Sequence, residues 1–273
     1  MRILAGVTLG VSLLAATAAL TAAAGAEPSD DERQCAATTG VSPEQKLTSC
    51  NAVIAAGPQT PQDLAGALTN RGNAYLSKRD LDRAIADYDE AIRLDPKSVF
   101  ALNGRGLAYQ NKGQYDRAIA DFDRAIGLNP KNAIPFNSRG NAYRSKGRYD
   151  RAIQDFDQAI ALNPNFAPAF FSRALAYQDK AAWDFDAYLN EGQNEDRALK
   201  DYDEAIRLAP SSRAAYNNRG NVYMSKRQYD RAIKDYDEAI RLDPNEPLYV
   251  KNRATPFGSS GNTIVPSRTF ARR

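Results

Sequence analysis

The sequence of 273 residues contains no histidine. That absence excludes Ser-His-Asp and Cys-His catalysis, histidine-ligated zinc and imidazole acid–base chemistry within one chain. Cysteine is scarce as well. Cys35 and Cys50 are the only two, and no C-x-x-C pair exists for a thiolate metal site or thioredoxin-type exchange. Tryptophan occurs once, as Trp183. The remaining composition, 43% hydrophobic and 25% charged with 14 Tyr and 10 Phe, is that of a folded chain. Its length suits about two domains, or one elongated one.

Residues 1–26 read as a signal peptide. Met1-Arg2 is a short basic start, Ile3 to Leu20 is uncharged and apolar or small, and Ala24-Gly25-Ala26 is an A-x-A cleavage site. The chain then turns acidic at Glu27-Pro28-Ser29-Asp30-Asp31-Glu32. An uncleaved membrane anchor is the rival reading, weakened by the Ala, Gly and Thr content of the run. The residues before Cys35 form no lipobox, which argues against a lipoprotein. Cleavage implies a periplasmic or secreted protein in an oxidising compartment, where Cys35 and Cys50 are candidates for a disulfide. Two free, partly buried thiols are the alternative. The bridge would staple the start of the mature chain onto a helix spanning Pro43 to Ala56.

The middle of the chain is one unit written five times. Arg-Ala-Ile/Leu-x-Asp-Tyr/Phe-Asp begins at Arg83, Arg117, Arg151, Arg197 and Arg231, and Arg-Gly/Ala-x-x-Tyr begins at Arg71, Arg105, Arg139, Arg173 and Arg219. Both series have a period of 34 residues and place one insertion of 12 residues in the fourth unit. Within a unit the apolar residues fall at helical spacing on two faces, as with Leu102, Gly106 and Tyr109, then Tyr115, Ala118, Ile119, Phe122, Ala125, Ile126 and Leu128. Gly113 separates the faces and Pro130 stops the second, so each unit is a helix, a tight turn and a helix. Such a unit is too thin to bury its own apolar faces; stacking neighbours buries them and makes a solenoid.

These residues resemble the tetratricopeptide repeat family, whose unit of 34 places an aromatic or Leu at position 4, Gly at 8, Tyr at 11, Ala at 20, an aromatic at 24, Ala at 27 and Pro at 32. The first repeat carries Leu68, Gly72, Tyr75, Ala84, Tyr88, Ala91 and Pro96 there. The third carries Phe136, Gly140, Tyr143, Ala152, Phe156, Ala159 and Pro164, and the fifth Tyr216, Gly220, Tyr223, Ala232, Tyr236, Ala239 and Pro244. The resemblance implies an all-α fold, a right-handed superhelical solenoid of antiparallel helix pairs. The expected organisation is a leader at 27–64 with a capping half-repeat helix, then repeats at 65–98, 99–132, 133–166, 167–212 (with the insertion) and 213–246. A partial helix and a disordered basic tail follow at 247–273. The chain departs from the family in two places: position 7 is Arg in every repeat, and Ala174 replaces the usual Gly.

The resemblance also implies a ligand-binding concave face lined by first helices. Transferring its groove positions 2, 5, 9 and 12 selects the polar residues Asn73, Asn103, Gln110, Asn137, Asn141, Arg144, Gln178, Asn217 and Asn221. A row of amides donates to and accepts from a peptide main chain without demanding a side-chain sequence. The bland alternative is a solvated helix face, although Asn is a poor helix former and recurs at one phase. A carboxylate clamp for chaperone C-termini is missing, since position 5 holds Thr69, Asn103, Asn137, Phe171 and Asn217 and never Lys. The Arg residues at position 7 face acids at 23 and 25, such as Asp121 and Asp123 or Asp155 and Asp157, and are expected to form ion-paired rungs between helices. Residues 27–246 hold 30 basic and 33 acidic residues, unlike a nucleic-acid surface.

The insertion brings Trp183, Tyr188 and Leu189, either a partner anchor on a protruding hairpin or side chains that pack on one another. Twelve residues extend two helices by about three turns between them. Asp184 and Asp186 lack the remaining positions of a calcium loop. The reading is therefore a non-catalytic scaffold for a protein or extended peptide, with no cofactor, no metal and no nucleic acid. The alternatives are a carboxylate-dependent enzyme or accessory acting on envelope glycans, and an envelope-surface protein held by its basic tail.

Overall fold

The computed structural model describes residues 27–57, 60–183 and 192–254; among them are thirteen α-helices and no strand. None of these helices is long and apolar enough to cross a membrane. The chain divides after Pro96 into two compact units.

The first unit contains α1 (Asp30–Ala36), α2 (Pro43–Ala56), α3 (Pro61–Ser77) and α4 (Leu81–Leu94). The sequence reading treats residues 43–57 as a lone second helix. The structure places the seven-residue α1 before it, started by a capping box in which the Ser29 hydroxyl accepts from the Glu32 N–H and the Glu32 carboxylate accepts from the Ser29 N–H. The candidate cysteine pair joins the two helices, with Cys35 and Cys50 sulfurs 2.12 Å apart. In the α3–α4 pair the Tyr88 ring lies against Gly72, where a Cβ would come within 2.8 Å of it.

The second unit repeats one helix pair four times: α5 (Val99–Asn111) with α6 (Tyr115–Leu128), α7 (Ala133–Ser145) with α8 (Tyr149–Leu162), α9 (Ala167–Trp183) with α10 (Gln193–Leu208), and α11 (Arg213–Ser225) with α12 (Tyr229–Leu242). A last described helix, α13 (Pro247–Ala254), follows and packs on α12. Each second helix is strongly amphipathic and buries its position-24 ring completely, or nearly so: Phe122, Phe156, Tyr202 and Tyr236. The first helix admits these rings because position 8 is small. A Cβ on Gly106, Gly140 or Gly220 would stand 2.5, 2.6 or 2.8 Å from the facing ring. The turn between the helices passes through the left-handed region at Gly113 and Gly147, the conformation glycine adopts without a Cβ penalty. Around the insertion, α9 runs to 17 residues against 13 in its neighbours and α10 to 16 against 14. The described parts of the two helices thus hold six residues more than their counterparts, about one and two-thirds turns. Residues 184–191, with Tyr188 and Leu189, lie outside the described residues.

Arginine at position 7 ties the stack together. Arg139 forks its Nε and Nη2 onto Asp155 of its own repeat at 2.9 and 2.6 Å, while Nη1 reaches Asp123 of the preceding repeat at 2.6 Å. Arg173 does the same with Asp201 and Asp157, and Arg219 with Asp235 and Asp203. Burial pushes the Asp155, Asp201 and Asp235 carboxyls upward, and the facing guanidinium opposes that shift. The same forks hold Arg71 on Asp87 in the first unit and Arg105 on Asp121 in the second. A second row of inter-repeat pairs, Lys146–Asp116, Lys180–Asp150 and Lys226–Asp196, runs beside the turns. The position-7 arginines are thus structural, absorbed by the repeat itself.

Candidate functional site

The groove positions of the first helices separate into two groups once their partners are known. Four amides are already engaged. The Tyr88 hydroxyl donates to Asn73 Oδ1 at 2.7 Å, the Tyr236 hydroxyl to Asn221 Oδ1 at 2.8 Å, and the Tyr202 hydroxyl to Gln178 Oε1. Asn217 accepts from the Asn252 amide at 2.8 Å and donates to Asn218 at 3.3 Å. Burial lifts the three tyrosine pKa values far above the ordinary phenol range, so these hydroxyls stay protonated as donors. These amides close the gap between a first helix and its own second helix, or the next first helix.

The second group sits on α5 and α7. Asn103 Oδ1, Gln110 Oε1 and Asn137 Oδ1 are buried and have no hydrogen-bond partner among the described residues. Arg144, one turn beyond Asn141 on α7, pairs through Nη1 with Asp179 of α9 at 3.1 Å, while its Nε is buried without a partner. Burial raises the Asp179 carboxyl and Arg144 counters it. Asn141 is half-buried on the same face of α7. Part of the contrast lies on the second helices. Tyr at position 24 sends its hydroxyl to an amide at position 9 or 12; α6 and α8 carry Phe122 and Phe156, so Gln110 at position 12 and Asn141 at position 9 receive none. Asn103 and Asn137 stand at position 5, where the engaged amide, Asn217, is held by Asn252 of α13 instead.

An unsatisfied buried acceptor costs about 1–3 kcal/mol, and native proteins hold few of them. Three such acceptors and one donor on adjacent helices therefore set α5 and α7 apart from the helices whose amides are engaged. Beside them stand residues that the polar selection passes over. Phe100 and Ile134, at position 2 of α5 and α7, are 63% and 46% exposed, three residues before Asn103 and Asn137 and so on the same helix face. Large apolar side chains at a phase that the stack leaves open are the sequence signal for them. At position 5 of α9 the amide is replaced by Phe171, which packs edge-on against Tyr202 with ring centroids 5.9 Å apart. The second unit thus gathers Asn103, Gln110, Asn137, Asn141 and Arg144 on α5 and α7, and spends Gln178, Asn217 and Asn221 on internal contacts. Asn73 lies in the first unit, on Tyr88. Trp183 is the last described residue of α9, four residues beyond Asp179.

Sequence profiles described as tetratricopeptide repeat match residues 69–133 and 214–246, and one described as TPR repeat matches 140–180, together just over half of the chain. No curated protein matches. Among solved structures, PilF of Pseudomonas aeruginosa aligns with a TM-score of 0.60 at 18% identity, over 72% of this chain and 86% of its own. A thermophilic tetratricopeptide repeat protein of Thermus thermophilus aligns at 0.58 and 19%, over 71% and 98%. MamA aligns at 0.50 and 26%, over 65% and 97%. The first two show the fold alone: an all-α stack of helix pairs. With the repeats, their periodic packing and the matching profiles, the chain belongs to the tetratricopeptide repeat family, whose members are in general scaffolds for proteins or peptides.

Proposed function

We propose that the chain is an exported, non-catalytic scaffold that binds an extended segment of another protein on the concave face of its second unit, across α5 and α7. The observation that carries this reading is the row of buried, partnerless acceptors, Asn103 Oδ1, Gln110 Oε1 and Asn137 Oδ1, bordered by exposed Phe100 and Ile134. An extended main chain offers N–H donors at regular intervals and apolar side chains between them, which is the complement of that surface. Arg144 adds a donor for a ligand carbonyl or carboxylate. The acidic body of the chain disfavours nucleic acid as the partner.

The test is a peptide library displayed on phage and panned on the full chain, with the enriched peptides measured by calorimetry. The paired substitutions Asn103→Ala and Asn137→Ala are expected to weaken binding about tenfold, since each removes a hydrogen bond of about 0.5–1.5 kcal/mol. Equal affinity in wild type and variant rejects the site.

Export is supported by the uncharged run from Ile3 to Leu20, the Ala24-Gly25-Ala26 site and the pairing of Cys35 with Cys50. Fractionation of the producing cell and mass determination of the recovered chain test it. A chain that begins at Glu27 in the periplasm or medium is the expected result; an intact leader in the cytoplasm is the opposite one.

A further inference from the structure

The last described helix of the second unit, α13, meets no second helix of its own among the described residues. On its inner side α13 is ordinary: Tyr249 is buried at position 3, as Ala101, Ala169 and Ala215 are, and Arg253 at position 7 donates to Asp237 of the preceding repeat. On its outer side no helix among the described residues covers it. Position 4 is fully buried as Leu102 and half-buried as Phe136, Phe170 and Tyr216, but 51% exposed as Val250. The position-7 side chains Arg105, Arg139, Arg173 and Arg219 are 17–21% exposed, whereas Arg253 is 47% exposed. In the four complete repeats this face is covered by a second helix, whose aspartate at position 23 receives the arginine fork and whose aromatic at 24 fills the space over position 8. Residues 247–273 carry no Asp or Glu, so none of them offers the Arg253 rung an aspartate like Asp155 or Asp201.

The geometry points to an interaction surface on α13 for one acidic, amphipathic helix of a partner protein, carrying an aspartate directly before an aromatic residue. Four copies of the same joint within the unit show what fits there. Position 8 of α13 is Ala254, and the one complete repeat with alanine at that position, at Ala174, is closed by Asp201 and Tyr202 of α10. The helix type of α10 is therefore the matching shape. Self-pairing of the face would set Arg253 against its own copy and offer it no aspartate beyond the Asp237 it already holds. The surface is separate from the groove on α5 and α7, and its success or failure does not depend on that groove.

The probe is a labelled synthetic peptide of residues 193–210, titrated into the full chain and followed by fluorescence anisotropy. Saturable binding is expected, weakened by at least about tenfold by Arg253→Glu, since truncating one side of a desolvated charge pair raises the off-rate strongly. The peptide with Asp201→Arg is expected to bind Arg253→Glu better than it binds wild type. Val250→Asp weakens binding by a second route, and urea melts check that both variants remain folded. The surface is overturned by an absence of binding at millimolar peptide, or by equal affinity for Arg253→Glu. Loss of binding in Asn103→Ala with Asn137→Ala also overturns it, by placing the peptide in the groove. Self-association of the chain that disappears in Arg253→Glu overturns it by making the occupant a second copy.

Discussion

Two faces of the same helices follow opposite rules. At position 7 of α7, Arg139 spends three nitrogens on two aspartates; two residues earlier, at position 5, Asn137 leaves a buried oxygen without a partner among the described residues. The first arrangement is costly to break and the second costly to keep. Removing one side of a buried, hydrogen-bonded ion pair leaves an uncompensated charge, so Asp155→Ala is expected to lose about 3–5 kcal/mol. Asn137→Ala is expected to leave stability unchanged or raise it by about 0.5 kcal/mol, because it removes an unsatisfied acceptor and improves helix propensity. Urea unfolding of the two variants measures the difference. Equal losses would place both faces in the structural class and remove the argument that the groove amides are retained for a ligand.

The contact between position 8 and position 24 gives the next largest effect, and it too differs between repeats. Gly140→Ala puts a methyl about 2.6 Å from the buried Phe156 ring, an overpacking expected to cost about 1–3 kcal/mol. Repeat four holds Ala174 at the same place with Tyr202 above it, both fully buried. The unit therefore accepts a methyl there when the ring settles differently, and the loss at Gly140 is expected toward the lower end. A loss as large as that of Asp155→Ala would show that α8 cannot make the adjustment that α10 makes.

The contrast within the groove can be inverted one hydroxyl at a time. Tyr236→Phe removes the donor to Asn221 and leaves the Asn221 oxygen like that of Asn137, for an expected loss of about 0.5–1.5 kcal/mol. Phe156→Tyr is the reciprocal change, delivering a hydroxyl toward Asn141 across the same joint that links Tyr236 to Asn221. If the open amides serve a ligand, Phe156→Tyr weakens peptide binding while leaving the urea midpoint equal or higher. A gain in affinity from Phe156→Tyr contradicts the division between engaged and open amides.

Much of this architecture is legible in the residues. The period of 34, the small residue at position 8 facing a ring at 24, and Arg at 7 opposite Asp at 23 and 25 each express one contact repeated, so the pattern reports the packing directly. The groove is less legible. Asn73 and Asn221 stand at position 9 and Asn103 and Asn137 at position 5, and whether each oxygen finds a donor depends on the neighbouring helices, which the letters alone do not show. Phe100 and Ile134 escape a search for a polar row, which ignores apolar members at the same phase. Helix α1 lacks a sequence signal of comparable strength, since its seven residues carry no apolar period and its start depends on the reciprocal cap between Ser29 and Glu32.

The smallest expected effect concerns the turn at position 15, where the repeats again differ. Gly113 and Gly147 adopt φ of 73° and 71° in the second unit, and Arg227 adopts 58° at the equivalent place. A side chain with a Cβ pays about 1–2 kcal/mol to enter the left-handed region, whereas glycine enters it freely. Glycine in turn gives the unfolded chain more freedom, which offsets about 0.5–1 kcal/mol of that gain. Arg227→Gly is therefore expected to stabilise the chain by about 0.5–1 kcal/mol, and Gly147→Arg to destabilise it by a similar amount. Neither substitution touches a groove amide or a position-7 rung, so peptide affinity should not move in either variant. A shift in affinity would mean that the turn sets the spacing of the first helices, and that the groove and the frame are less separable than their hydrogen bonds indicate.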